Sequence, residues 1–447
     1  MNRLLSKYLF YYPVTALRGE AVWKYLKEYE ELQWQQPSSI DDFQNTHLHQ
    51  LLQHAFDTVP YYREIAREHG LSISDFQSIE QLKLLPVTSK SEMVRFSNEL
   101  HSNKRFFSTS DKTTGGSTGQ AVTITKNSDA LARERAATWR AYNWAGVGIG
   151  DVQARFWGTP LSSKGRIFAK AVDYISNRTR LSAFNLNQQS LESYYRKLTK
   201  LQPAYLYGYA SMIADFARFI LENKYRPLSG LKSVITTSEV LDENSRKLIE
   251  SAFQAKVFNE YGCGEVGSIA HECEHGSMHI MADNVIIETD TSDSPDDSSG
   301  EIIVTDLHNY AMPLIRYKVG DYATLSADIC ACGRSLPVIT KIHGRAYDVI
   351  VDPDGNRYHP EILMYIFEEL KSKNMGISQF QVIQTDVDSL EVILITNTGY
   401  DENTEQIITK HIRNDIHPDF HLNFTYTDKI SREKSGKLRV IKSEINS

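Results

Sequence analysis

The sequence predicts an α/β protein: a large N-terminal domain of helix-covered sheet, followed by a small, mobile α+β C-terminal domain. Three observations predict it. Between Ala121 and Phe253, short alternating or β-branched runs are separated by stretches with apolar residues at helical spacing, the pattern of a parallel sheet. A Gly/Ser/Thr-rich run stands immediately before the first of these strands. Beyond Gly344 the remaining hundred or so residues form a strand and helix mixture of separate-domain size.

Taken in order, residues 1–110 read as largely helical, with helical apolar spacing from His47 to Gly70. The basic, partly apolar start is interrupted by Ser6, Lys7 and Pro13, and no small-residue cleavage site follows. It reads as an amphipathic helix packed on the protein, a membrane or a partner. Leu85-Pro86-Val87-Thr88-Ser89-Lys90 turns the chain into a capped helix start at Ser91-Glu92-Met93. Ala121–Thr125 alternates as a strand, and a long helix follows from Asp129 to Ala145. Strands are expected at Asp151–Trp157, Ala204–Gly208 and Ser233–Thr237, and helices at Leu191–Leu201, Ser211–Asn223 and Glu243–Phe253. After Asn259 the pattern changes. Asn284–Glu288 and Glu301–Thr305 read as strands joined by an acidic, Ser-rich loop. In the last domain, residues 344–447, the expected elements are a strand at Asp348–Val351, helices at Glu361–Leu370 and Thr404–Arg413, and paired strands at Phe380–Gln384 and Leu390–Ile395. Residues 1–343 form the first domain.

The 447 residues are 41% hydrophobic and 23% charged, which suits a soluble chain with ample core. A net charge of −7 with interspersed signs gives no nucleic-acid surface. No run approaches the roughly 18 apolar residues of a membrane span, so the expected location is cytoplasmic. A homodimer is compatible with the sequence, which does not specify oligomeric state.

Thr113-Thr114-Gly115-Gly116-Ser117-Thr118-Gly119-Gln120 is the most informative run. Glycines let the backbone bend tightly and approach a ligand, and the interleaved hydroxyl and N–H groups suit phosphate oxygens. It lacks the Gly-Lys-Ser/Thr ending of a Walker loop, so a lysine must come from elsewhere. The same composition also makes ordinary loops. Five further pieces follow in order: Thr236-Thr237-Ser238-Glu239, Glu260-Tyr261-Gly262-Cys263-Gly264-Glu265, Pro313–Asp321, Gly344-Arg345-Ala346-Tyr347-Asp348 and Ser435-Gly436-Lys437.

This order resembles the adenylate-forming superfamily of acyl- and aryl-CoA synthetases. It is most similar to the phenylacetate–CoA ligase branch and its capsular-polysaccharide-biosynthesis relatives, over residues 50–440 or so. Val59-Pro60-Tyr61-Tyr62-Arg63-Glu64 and the Leu85–Lys90 segment share the likeness. The resemblance implies an AMP-forming ligase that joins an acid to ATP, giving an acyl-adenylate and pyrophosphate, and then passes the acyl group to CoA. For the capsule relatives an amine acceptor is the alternative. It implies that Thr114, Gly115, Gly116, Ser117, Thr118 and Gly119 grip the β- and γ-phosphates. Ser238 and Glu239 would sit by the adenine, and Tyr261, with Gly262 beside it, would flank the base. Glu265 would ligate Mg²⁺, a hard cation that prefers oxygen. Asp321 would take the ribose hydroxyls, with Arg345 near the sugar or α-phosphate. Lys437, with Glu265, would be catalytic, its ammonium bridging the carboxylate and α-phosphate. Three departures mark the chain: Gly264 stands where threonine is usual, Gln120-Ala121 ends the loop, and Tyr347-Asp348 leaves the hinge residue open.

The four cysteines, Cys263, Cys273, Cys330 and Cys332, cluster in a way that suggests metal in a reducing compartment. Cys273, His279, Cys330 and Cys332 would close a tetrahedral structural Zn²⁺ site, with His275 as the alternative to His279. Cys263 lies inside the glutamate motif and reads as wall. Trp157, Tyr207, Tyr209 and Ser211 are the candidates for the acid pocket, or else core. A non-catalytic nucleotide-binding regulator needs no Lys437, and a zinc hydrolase needs an open metal position that this set does not offer.

Overall fold

The computed structural model describes residues 2–114, 122–157, 170, 172–182, 187–239, 241–291, 300–326, 329–343, 350–358, 361–373, 375–428, 430 and 440–445. The lead-in is helical, as expected, but the periodic stretch is cut in two. One helix runs Pro37–Thr58 and the next Pro60–His69. Pro60 lacks an N–H and forces the residue before it out of the helical region, and Val59 is extended at φ −106°, ψ 114°. The first of these helices buries Ile40, Leu48, Leu51, Leu52 and Ala55 along one face. Its buried Gln44 amide donates to the carbonyls of Ala282 (2.8 Å) and Val285 (2.9 Å), anchoring it to the sheet domain.

Thirteen strands are described in the N-terminal part: β1 (Thr109–Thr114), β2 (Val122–Asn127), β3 (Gln153–Trp157), β4 (Arg178–Ser182), β5 (Tyr205–Tyr209), β6 (Ser233–Thr237), β7 (Lys256–Cys263), β8 (Gly267–Glu272), β9 (Met278–Ile280), β10 (Val285–Asp290), β11 (Gly300–Asp306), β12 (Tyr317–Ser326) and β13 (Val338–His343). β1 and β2 pair antiparallel with Thr114 facing Val122, and the glycine run lies between them in the sequence. The other eleven make one sheet in the order β10-β11-β12-β13-β9-β8-β7-β6-β5-β3-β4.

The expected parallel, helix-covered sheet holds from β4 to β7. Beyond β7 the same sheet continues antiparallel. Turns such as 264–266 are too short for a helical crossover, so successive strands must reverse direction. Helices Gln188–Leu201, Ala210–Glu222 and Glu243–Phe253 cover one face of the parallel half, against Ala154, Phe156, Leu206, Val234 and Val257. Helix Ser128–Trp144 supplies Tyr142 to an aromatic cluster with Tyr205, Tyr207 and Phe258, whose register places them on the opposite face.

The C-terminal part has a core of its own, built from residues between Ile350 and Ile441. Its strands are β14 (Ile350–Val351), β15 (Arg357–Tyr358), β16 (Ile377–Asp386), β17 (Ser389–Thr396), β18 (His421–Tyr426) and β19 (Ile441–Ser443). A β16–β17 hairpin is flanked by parallel strands in the order β18-β17-β16-β19, with helices Glu361–Ser372 and Glu402–Asp415 packed together. Both helices and both paired strands lie where their periodicity predicts. The joining segment 344–349 and residues 431–439 lie outside the described residues.

Candidate active site

A cleft of about 1530 Å³ opens at the carboxyl ends of the parallel strands, where open α/β sheets bind ligands. Ser238 and Glu239 follow β6, Tyr261 to Glu265 close β7, and Asp321 lies on β12; all line this cleft, as does Thr113 at the end of β1. The fold therefore gathers four motifs separated by up to two hundred positions. Gly115 to Gly119, Arg345 and Lys437 lie outside the described residues; Thr114 ends β1, and its side chain also lies outside them.

Local chemistry holds each group in place. Ser238 sits at φ +69°, a left-handed backbone that costs a serine energy and is typical of functional turns. Glu239 accepts from the backbone N–H of Ser211 (2.7 Å) and from its hydroxyl (2.9 Å), at the start of helix Ala210–Glu222. The Tyr261 hydroxyl donates to Asp321 Oδ2 at 3.1 Å. A Cβ on Gly262 would lie 2.2 Å from the Gly267 carbonyl oxygen, so only glycine allows β7 and β8 to approach there.

Glu265 is buried and accepts from Lys90 Nζ and from the Tyr317 hydroxyl, each at 3.2 Å. Burial works against its ionisation. The Lys90 charge and hydrogen bonds from its own backbone, Lys90 and Tyr317 outweigh that and hold the carboxyl below the usual range. Sequence reasoning did not single out Lys90. Its signal is the Leu85–Lys90 segment: Thr88 pairs with the strand carrying Asp321, through Thr88 N–H to Arg316 O (2.9 Å) and Lys318 N–H to Thr88 O (3.0 Å). Ser89 rather than Ser91 then caps the helix, with Glu92 completing a capping box, and Lys90 points into the cleft.

Of the acid-pocket candidates, Trp157 and Tyr207 line the cleft. Tyr209 and Ser211 are corrected. Tyr209 is fully buried, stacked on Trp157 at 4.6 Å and packed into the core, because each β5 residue is covered by sheet or helix. Ser211 is committed to Glu239. The cleft also receives Arg155 and Arg178, which the sequence reading passed over; the alternation Gln153, Arg155, Trp157 on β3 is their signal.

Away from the cleft floor, the ligand atoms of Cys273, His279, Cys330 and Cys332 all lie within 4.8 Å of one another. Cys273 Sγ is 3.7 Å from Cys330 Sγ, and Cys332 Sγ is 3.2 Å from His279 Nε2. The His279 Nδ1 faces the Leu336 carbonyl at 2.9 Å, which leaves Nε2 for the cluster. Backbone N–H groups of His275, Cys332 and Arg334 donate to the sulfurs at 3.3–3.5 Å. His275 itself is exposed, and Cys263 lines the cleft.

Comparison with known proteins agrees with this architecture. Residues 350–444 match the CapK C-terminal domain family. Over 446 residues the chain is 24% identical to protein CapK of Staphylococcus aureus, covering 97% of each. It is 24% identical to a phenylacetate–coenzyme A ligase of Thermus thermophilus over 337 residues, 71% of this chain and 73% of that one. Among solved structures, 2-hydroxyisobutyryl-CoA ligase in its thioesterification state shares the fold with a TM-score of 0.60, at 19% identity and 92% coverage of both chains. Its open conformation gives 0.56 over the same shares. The chain is thus similar to CapK along nearly its whole length, to a phenylacetate–CoA ligase over about seven-tenths of it, and in fold to an acyl-CoA ligase.

Proposed function

We propose that this protein is an AMP-forming acid ligase. The observation that carries the reading is the convergence of Ser238–Glu239, Tyr261–Glu265 and Asp321 on one cleft beside the β1–β2 pair. A substrate carboxylate oxygen attacks the α-phosphorus of ATP as the bond to pyrophosphate breaks, giving an acyl-adenylate with no proton transfer required. The task of the site is to hold two anions together and offset the charge that develops. Thr114 to Gly119 would hold the outer phosphates, Ser238, Glu239 and Tyr261 the base, and Asp321 and Arg345 the ribose. Glu265 would hold Mg²⁺, whose charge offsets that of the phosphates. Lys437 would arrive from a C-terminal domain running from 344 to 447 and sit between carboxylate and α-phosphate. That domain would move on the N-terminal domain, 1–343.

The acyl group then passes to the thiol of CoA. The likeness to CapK along nearly the whole chain favours a second reading, in which an amine takes it during surface-polysaccharide synthesis. The Cys273–His279–Cys330–Cys332 cluster would hold a structural Zn²⁺. Zn–S bonds of about 2.3 Å at tetrahedral angles separate sulfurs by about 3.8 Å, close to the 3.7 Å between Cys273 and Cys330. It would tie the β8–β9 turn to the loop before β13. Among the described residues no helix is long and apolar enough to cross a membrane. We place the reaction in the cytoplasm, which fits four cysteines outside any disulfide.

Substrate-dependent ATP–pyrophosphate exchange over a panel of acids tests the reading. Lys437→Ala should abolish exchange while nucleotide binding persists. Wild-type exchange in that variant would sink the role of Lys437, and no exchange with any acid would sink the ligase.

A further inference from the structure

We propose that the acid activated here carries a second carboxylate, received by Arg155 at the floor of the cleft. This rests on the ligase reading above and names its substrate class. The two faces of β3 differ sharply. Ala154 and Phe156 point into the apolar helices, whereas Arg155 and Trp157 line the cleft. The neighbouring strand β4 adds Arg178, also in the cleft lining, and Arg180, on the same sheet face by register.

The charges on this face do not balance. Arg178 and Arg180 share one carboxylate, Asp173, at 2.6 Å and 3.4 Å. Among the described residues Arg155 has no ion-pair partner, and its buried Nε has no hydrogen-bond acceptor. Its guanidinium is instead stacked, with its central carbon 4.2 Å from the Trp157 ring centre and 4.8 Å from that of Tyr207. Stacking fixes the plane and leaves the N–H edge for a planar two-oxygen acceptor. Burial first, then the Arg155 charge, pulls the Arg178 pKa down, the mark of crowded cations. Glu260 senses Arg155 too, but it accepts from the Tyr142 hydroxyl at 3.0 Å, and burial pushes its carboxyl up. A half-buried cation on a ligand-facing wall, with no ion-pair partner among the described residues, is a site for an anion brought by the ligand.

Position sets the length of that ligand. By register Arg155 is level with Tyr207, Ile235 and Phe258, so Ser238 and Tyr261 stand three residues, about 10 Å, above it; less a hydrogen bond of about 3 Å, about 7 Å remain for the ligand. Arg178, opposite Gln153, lies two residues deeper. An acid with three or four carbons, or one small ring, between its carboxylates spans the remaining length.

The experiment is ATP–pyrophosphate exchange by the full chain with glutarate and adipate against pentanoate and hexanoate. A parallel thermal melt uses the same acids without ATP. The dicarboxylates should be preferred by about ten- to hundredfold in kcat/KM, the worth of one charge-assisted bond. Arg155→Gln should cut that ratio at least tenfold, and Arg155→Lys, which keeps the charge but loses the planar fork, should keep only part of it. Exchange that treats both acid classes alike, or a preference that survives in Arg155→Gln, overturns the second-anion site and leaves the ligase standing. If no acid supports exchange, the ligase falls instead. The site then stands only if the dicarboxylates alone raise the melting temperature and Arg155→Gln abolishes the rise.

Discussion

The Lys90–Glu265 pair joins the helical lead-in to the heart of the cleft, so Lys90→Ala is the sharpest perturbation of this site. Two charges 3.2 Å apart attract by about 5 kcal/mol at an effective dielectric near 20, before desolvation is subtracted. The side chains are 15% and 9% exposed, which makes the pair nearly buried. Removing one partner of a buried pair costs about 3–5 kcal/mol, because the other is stranded. Tyr317 still donates to Glu265, and the cleft admits water, so we expect about 2–3 kcal/mol for Lys90→Ala. Glu265→Gln should cost less, and the double variant little more than Lys90→Ala alone, giving a coupling of about 1–3 kcal/mol. The assay is denaturant unfolding followed by tryptophan fluorescence. All five tryptophans lie between positions 23 and 157, so the signal reports the part of the chain that holds the pair. The pH dependence has a definite sign. Because the folded Glu265 pKa is depressed, its stabilisation is present above the unfolded carboxylate pKa, about 4.3, and lost as pH falls through the folded value. Lys90→Ala should flatten that acid-side loss. Strictly additive single variants, or an unchanged acid limb, would refute the coupling and with it the claim that Lys90 sets the state of Glu265.

Three further outcomes follow from the geometry. Protein purified without chelator should carry about one zinc per chain, and Cys332→Ser should lose it and melt several degrees lower; metal analysis showing none in the wild type refutes the site. Gly262→Ala should lower exchange activity at least tenfold, since the added carbon meets the Gly267 carbonyl oxygen at 2.2 Å, and wild-type turnover would show that β7 and β8 can separate. Burial raises the folded Glu260 pKa, so stability should fall as pH climbs from the unfolded carboxylate value through the folded one. Glu260→Gln should remove that slope in a pH series of melting curves.

The sequence by itself determined the local elements and the identity of the cleft motifs. Ser233–Thr237 and Glu243–Phe253 fold over the ranges their patterns predict, because the first is a short β-branched run buried throughout and the second has one apolar face. Ser238, Glu239, Tyr261, Glu265 and Asp321 were legible because each belongs to a short contiguous motif. What tertiary structure decided was everything that depends on pairing across the chain. That one sheet runs on from parallel to antiparallel strands is set by hydrogen bonds between distant strands, not by the pattern within any one. Tyr209 and Ser211 looked like pocket residues because side-chain chemistry does not say which neighbour will cover a position. Stacking under Trp157 covers Tyr209, and the Glu239 carboxylate claims Ser211. Lys90 and Arg155 escaped notice for the converse reason. A lone lysine or arginine is ordinary in a sequence and becomes informative only when folding places it beside a buried glutamate, or on a cleft wall with no ion-pair partner among the described residues.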